Sequence, residues 1–403
     1  MLSLILLLVL SPYTAILIGV YALFKVYKEK EYYIFSNFDR WNLWNVGLFL
    51  LFIWAFIVGI LNKSIMSTAA SLGLLLYMSL CIIIENSVTS AEVVDKVCRY
   101  LVKVSIFAGI FGIIERILLE SFPMVMWRVY TGLPINGEAD FRISSTFVNS
   151  NVAAGWFAVM IIICMYYINR CTNVKEKRFY EAATILFVID ICLAGSRGAF
   201  VGLIGGLAVF FYLKGNKRNL IIISMIVLVI AVIGFMPSEV SAISEEITGH
   251  KIERSVDQRK EIWEGSARMI EKKPLTGWGL TGTIEQSYRY FRADRIIYHS
   301  HNIWLSITTS LGIVGIVIYG VMRLSLYRSL WYLYKSGSRM FPLLAAVQVA
   351  ILFHGLIDFT IVTPQIGILF MGSSSIIFAL ARNEAKAMVK EGSLVNNSAQ
   401  CRI

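Results

Sequence analysis

Residues 44–61 read WNVGLFLLFIWAFIVGIL, an uninterrupted run with no charge and no proline. A helix that crosses a bilayer needs ~20 predominantly apolar residues, and comparable runs recur on both sides of this one. We read spans at 2–24, 44–61, 64–84, 101–119, 151–168, 180–195, 198–213, 219–236, 303–322, 341–359 and 361–380. The predicted fold is therefore all-α: a polytopic integral membrane protein whose residues 1–403 form one membrane domain of about eleven (10–12) transmembrane helices. Composition agrees, with 57% hydrophobic and 16% charged residues against ~45–50% and ~25% in soluble domains. The first run lacks a basic leader and a small-residue cleavage site, and Pro12 interrupts it. It reads as a retained span rather than a signal peptide.

Lys and Arg are unevenly shared among the loops. With the C-terminus taken as cytoplasmic, the inner segments hold 22 of the 37 and the short outer segments 5. Positive residues gather on the cytoplasmic side, so the C-terminus is expected inside and the long polar stretch 237–302 outside. That stretch holds the other ten, interleaved with Trp263, Trp278, Tyr288, Tyr290 and Phe291. The net charge of +11 thus reflects basic inner loops, and no nucleic-acid motif accompanies it. The expected surroundings are the lipid bilayer, with no nucleic acid, and a cationic outer surface suits an anionic head group or a diphosphate. The six cysteines fall in spans or inner segments, so no disulfide framework is implied. No Cys-x-x-Cys or His-x-x-x-His spacing offers a zinc site.

Three motifs lie inside 237–302: Arg259-x-x-x-Trp263, Pro274-Leu275-Thr276-Gly277-Trp278-Gly279, and His299-Ser300-His301-Asn302. Ser255-x-x-Gln258 has the form of a capping box. It is expected to open an amphipathic helix, apolar at Val256, Ile262, Trp263, Ala267 and Ile270, that lies along the outer membrane surface and stops before Pro274. Arg259 and Trp263, four apart, share a face of it. The glycines that follow let backbone come close to a ligand or to another helix.

Further polar residues cluster at other span ends. Arg142 precedes Asn149-Ser150-Asn151, where Asn149 or Asn151 caps the fifth span. Arg197 occupies the tight Ser196-Arg197-Gly198 turn, with Asp190 two helical turns earlier as a candidate partner, and His354 and Asp358 stand i, i+4 near the end of the tenth span. The charge count, which used none of them specially, puts Arg142, Arg197, Arg259, His301, His354 and Asp358 at the outer face. Arginines grip phosphate through bidentate charge-assisted bonds. Histidine, with a reference pKa of ~6.5, can take a proton from a hydroxyl nucleophile. Together these residues point to glycosyl transfer from a lipid diphosphate. The rival reading, a transporter or flippase of lipid-linked oligosaccharide, calls for internal repeats and polar midplane helices, whereas the polar groups here sit at one face.

The series Arg259/Trp263, Pro274/Gly277/Gly279 and His301/Asn302/Leu305 resembles the O-antigen ligase and polymerase family of bacterial membrane glycosyltransferases. Gly312-x-x-Gly315, Ser196-Arg197-Gly198, Arg142…Phe147-x-Asn149 and His354-x-x-x-Asp358-Phe359…Pro364 fit it too, so the resemblance covers roughly 140–370. It implies an undecaprenyl-diphosphate-linked glycan as donor, no metal and no cofactor, and a place in the bacterial cytoplasmic membrane. It also implies that His301 activates the acceptor hydroxyl and that Arg197 and Arg259 bind the diphosphate, with Arg142, Trp263, His299, Asn302, His354 and Asp358 in supporting or substrate-binding places. The expected chemistry is inverting transfer. The acceptor stays open: a second lipid-linked glycan makes a polymerase, a glycolipid or wall polymer a ligase. The chain departs from the family at Asn149-Ser150-Asn151, where the pattern is Asn-Pro-Asn, and in the extra His299, which leaves two candidates for the base. His301 is favoured because it abuts Asn302 and the first turn of the ninth span, while His299 lies further back in the loop.

Overall fold

The computed structural model describes residues 2–29, 42–121, 142–147, 149–222, 252–291 and 296–400, and all secondary structure among them is helical. The chain runs through α1 (Leu2–Leu10), α2 (Pro12–Lys28), α3 (Leu43–Leu61), α4 (Ile65–Ser87), α5 (Ala91–Ser121), α6 (Ser150–Ile168), α7 (Val174–Ala194) and α8 (Arg197–Leu213). It continues with α9 (Ile252–Lys272), the single turns α10 (Gly282–Glu285) and α11 (Ser287–Tyr290), α12 (Ile303–Lys335) and α13 (Phe341–Gly355). After a 3-10 turn at Thr360–Val362 comes α14 (Pro364–Gln400).

Six of these helices, α3, α4, α5, α6, α12 and α14, are long and apolar enough to cross a membrane, and α8 and α13 are shorter apolar helices. Two expected spans differ, and a third falls mostly outside the described residues. The run 2–24 is two helices, because Ser11 caps α2 through Tyr13 N and Pro12 takes the first helical position. The run 180–195 is the later part of α7, which starts in a charged segment and is capped by Asn173. Residues 223–251, with most of the run 219–236 and the start of the long polar stretch, lie outside the described residues.

The packing explains the order of the bundle. Helix α6 is apolar all round, as a centrally buried helix should be, and 83% of its span is buried. Helix α8 meets α13 across a glycine face: a methyl on Gly202 would lie 2.5 Å from Ala350 O, and one on Gly206 2.9 Å from Ala346 O. Such small faces let backbones approach where no hydrophobic force joins helices. Helix α12 runs on to Lys335 rather than ending at 322, so Arg323 is buried inside it. Arg323 donates to Gln348 Oε1 at 2.8 Å, and Gln348 Nε2 donates to Ser373 Oγ at 2.9 Å, tying α12 to α13 and α14.

The segment from α9 to α11 has its own small core of Ile262, Met269, Trp278, Phe291 and Ile297. Helix α9 begins at Ile252, so Ser255 lies inside its first turn and the capping-box reading fails. Its buried side is Ile262, Ser266 and Met269, whereas Trp263 is 37% exposed and points elsewhere. The Pro274–Gly279 turn docks on a break in α12 at Gly312 (φ 64°, ψ −163°). Trp278 N donates to Thr309 O (3.0 Å), Gly279 N to Ser310 O (2.8 Å) and Ile313 N to Pro274 O (2.8 Å). Trp54 Nε1 donates to Leu311 O at 2.8 Å, satisfying a carbonyl beside the kink. A methyl on Gly312 would sit 2.2 Å from Leu275 O. These glycines therefore serve backbone-to-backbone docking on a helix. On its other side the same segment bonds the α3–α4 turn, through Asn62 Nδ2 to Gly277 O (3.3 Å) and Ser67 Oγ with Thr281 Oγ1 (2.7 Å). Helix α9, which carries Arg259, is thereby fixed to α12, whose first turn follows His301.

Candidate active site

The polar residues converge on one carboxylate. Helix α13 ends at Gly355, yet Asp358 N still donates to His354 O at 3.0 Å, so the two residues keep their one-turn spacing and Asp358 stays in Coulombic range of His354. The carboxylate bonds His301, whose Nδ1 lies 2.9 Å from Asp358 Oδ1. A carboxylate only accepts, so His301 Nδ1 carries a proton, and the neutral tautomer that makes this bond has its lone pair on Nε2. Phe359 N donates to the same Oδ1 at 2.8 Å, and Asn151 Nδ2 to Oδ2 at 2.6 Å. Asn151 Oδ1 accepts from Arg142 Nη2 at 2.8 Å, while Arg142 Nε donates to Ala194 O at 2.7 Å. The side chain of Asp358 is 5% exposed and that of His301 31%. The orienting acid is thus enclosed and the imidazole accessible.

Local structure holds these groups. Asn149 caps α6 through Val152 N, which resolves the two-asparagine question: Asn149 caps and Asn151 joins the site. Asn302 caps α12 through Trp304 N and Leu305 N, and its Nδ2 donates to Leu356 O at 2.9 Å, pinning this turn to the end of α13. Gly195, left-handed at φ 58°, closes α7 so that Arg197 can open α8. The Arg197 guanidinium is in Coulombic range of Arg259 and Arg142. Burial holds Arg259 below its ordinary range, with the Asp358 carboxylate opposing. Among the described residues, Arg197 thus lies in range of Arg259 and Arg142, and Arg259 in range of the Asp358 carboxylate.

His299 is not a free loop residue: its side chain is 19% exposed and its Nδ1 lies 3.8 Å from Asp358 Oδ1. Burial, reinforced by His301, pushes its pKa down to about 4 against the opposing pull of Asp358. His354 is buried against Gly155 and Gly198, and its Nε2 makes no hydrogen bond. Trp263 lies outside the small core of α9 and is 37% exposed. Asp190 does not face Arg197 but lies over Gly109 and Gly112 of α5, near Glu115. His299, His301 and Asp358 each place a ligand atom within 4.8 Å of the others, a set able to hold a metal ion, although the neighbouring guanidiniums repel a cation. Sequence reading missed Asn151 as a site residue and Asp358 as the partner of His301.

Beside the histidines lies an apolar chamber of about 590 Å³ whose lining includes His299, Phe359, Leu48, Gly73, Tyr77 and Met371.

Residues 182–320 match the family described as O-antigen ligase, in line with the resemblance carried by the motifs. The match takes in Arg197, Arg259, His299, His301 and Asn302; Arg142, Asn151, His354 and Asp358 fall outside it. The chain is also 22% identical over 186 residues to a protein of Haemophilus influenzae described as uncharacterized, over 41% of this chain and 46% of that protein. The chain thus spans less than half the length of that relative.

Proposed function

We propose that this chain is a membrane glycosyltransferase that moves a glycan from an undecaprenyl-diphosphate donor to an acceptor hydroxyl, as a polysaccharide polymerase or ligase. The observation that carries the reading is the His301–Asp358 bond of 2.9 Å, set among three arginines. A proton on Nδ1 leaves Nε2 to act as general base. Nε2 takes the proton of the acceptor hydroxyl as its oxygen forms a bond to the anomeric carbon, and the bond from that carbon to the diphosphate oxygen breaks. The diphosphate leaves with the electron pair, its charge met by Arg197 and Arg259. One displacement inverts the anomeric centre. The imidazolium that forms is stabilised by Asp358, the logic of a hydrogen-bonded acid–imidazole pair. In liposomes containing the full chain and a synthetic undecaprenyl-diphosphate-linked repeat unit, glycan transfer and release of undecaprenyl diphosphate should appear together. Movement of the lipid across the bilayer without release would instead identify a flippase.

The apolar chamber is the expected seat for the first isoprene units of the donor. A side chain built from Gly73 would meet nothing within 4 Å, so Gly73→Phe should occupy the chamber without disturbing α4. Excluding two or so CH₂ groups, each ~0.8 kcal/mol, should raise KM for the undecaprenyl donor about tenfold. The kcat with a short-chain donor should stay unchanged, and an unaltered KM would place the chain elsewhere.

A further inference from the structure

We infer that His299 is a positioning residue: it holds His301 in the backbone conformation that aims the His301 imidazole at Asp358. The inference rests on His301 being the base. His301 has φ +46°, a region that side-chain-bearing residues seldom occupy. Its N–H donates to Nδ1 of the His299 ring at 3.2 Å. The ring so closed, from a side chain to the amide two residues on, is the one that Asn and Asp form in an Asx turn, where left-handed backbone is tolerated. Apart from the His301–Asp358 side-chain bond, the bonds on either side hold its neighbours: Ser300 N donates to Ser306 Oγ (3.3 Å) and Asn302 Nδ2 to Leu356 O (2.9 Å). The backbone N–H of His301 is held by the His299 ring.

The same ring touches both ends of the pair it serves. Its centroid lies 4.3 Å from that of His301 and 6.0 Å, edge-on, from that of Phe359, the residue after Asp358. Accepting from His301 N requires a bare Nδ1, so the His299 proton resides on Nε2, and burial keeps the ring neutral. The two histidines therefore carry opposite tautomers. His301 is protonated at Nδ1 and bonds a carboxylate, whereas His299 is protonated at Nε2 and bonds a backbone amide.

The test compares His299→Leu, His299→Asn and His301→Ala in the full chain, reconstituted with the lipid-linked donor, with kcat and KM read from diphosphate release. Misplacing a catalytic group by about 1 Å can cost about 10²-fold. His299→Leu should therefore lower kcat by about 10²-fold with KM unchanged. His299→Asn, whose Oδ1 can accept the same N–H, should restore kcat to within about threefold. If the leucine variant does not reach the membrane, His299→Gln, whose longer amide cannot close that ring, should show the same loss. Wild-type turnover by the leucine or glutamine variant overturns the inference. So does an asparagine variant as slow as leucine, which would give the imidazole its own chemical part, and so does a rise in KM with kcat kept. His301→Ala separates the two levels. An active His301→Ala removes the base assignment itself, whereas an inactive one beside a fully active His299→Leu removes the positioning role alone.

Discussion

Asp358→Asn should lower kcat by about 10²–10⁴-fold, with little change in donor KM. The amide can present its NH₂ to His301 Nδ1, which then accepts, moving the imidazole proton to Nε2, where a base is needed. The carboxylate that would stabilise the imidazolium is also gone. His301→Ala should be at least as slow. Groups that act as a unit are non-additive, so the double variant His301→Ala/Asp358→Asn should be no slower than His301→Ala alone. Steady-state transfer assays at matched membrane levels measure all three. Additive losses would mean that the 2.9 Å contact is not the working unit. Normal turnover by Asp358→Asn would leave Asp358 a packing role only.

Arg197→Lys and Arg259→Lys should each cost about 10–10²-fold in kcat/KM, the worth of a charged hydrogen bond of about 1.5–3 kcal/mol, although each keeps the charge. A diphosphate presents oxygens in pairs, and the planar guanidinium fork meets two at once where an ammonium is a point charge. Arg197 stands at the first turn of α8, and Arg259 on α9, which docking at Gly312 locks to α12. Neither can shift to let a shorter, differently shaped group reach the same place. Kinetics across a range of donor concentrations separates binding from chemistry. Full activity in both lysine variants would reduce the arginines to a general positive field.

The membrane character was legible in the sequence, and so were most of the polar residues that the structure brings together, because apolar runs and interfacial polar residues are local patterns. Partnerships were not. Asp358 lies four residues after His354, and periodicity pairs them; the turn is kept, but the carboxylate makes its hydrogen bonds to His301 and Asn151, which spacing within one helix cannot show. Trp263 was read among the apolar positions of α9, but that side is set by its docking partners Trp278 and Phe291, and Trp263 falls outside it. The run ending at 322 hid a helix that continues past a buried arginine, because hydropathy scores Arg323 as a terminator and cannot see Gln348 waiting on α13.

The place of Asp358 has a consequence for biogenesis. The candidate site draws on residues 142, 151, 197, 259, 299 and 301, yet the carboxylate that bonds His301 and Asn151 is made after all of these. A chain leaving the ribosome has its anion-binding arginines and its histidines before it has residue 358. Domains form as units during synthesis, and here the last contribution closes the unit. If the proposed function holds, a partly inserted nascent chain can meet a lipid-linked glycan but not turn it over, and transfer waits until the segment between α13 and α14 has folded into place.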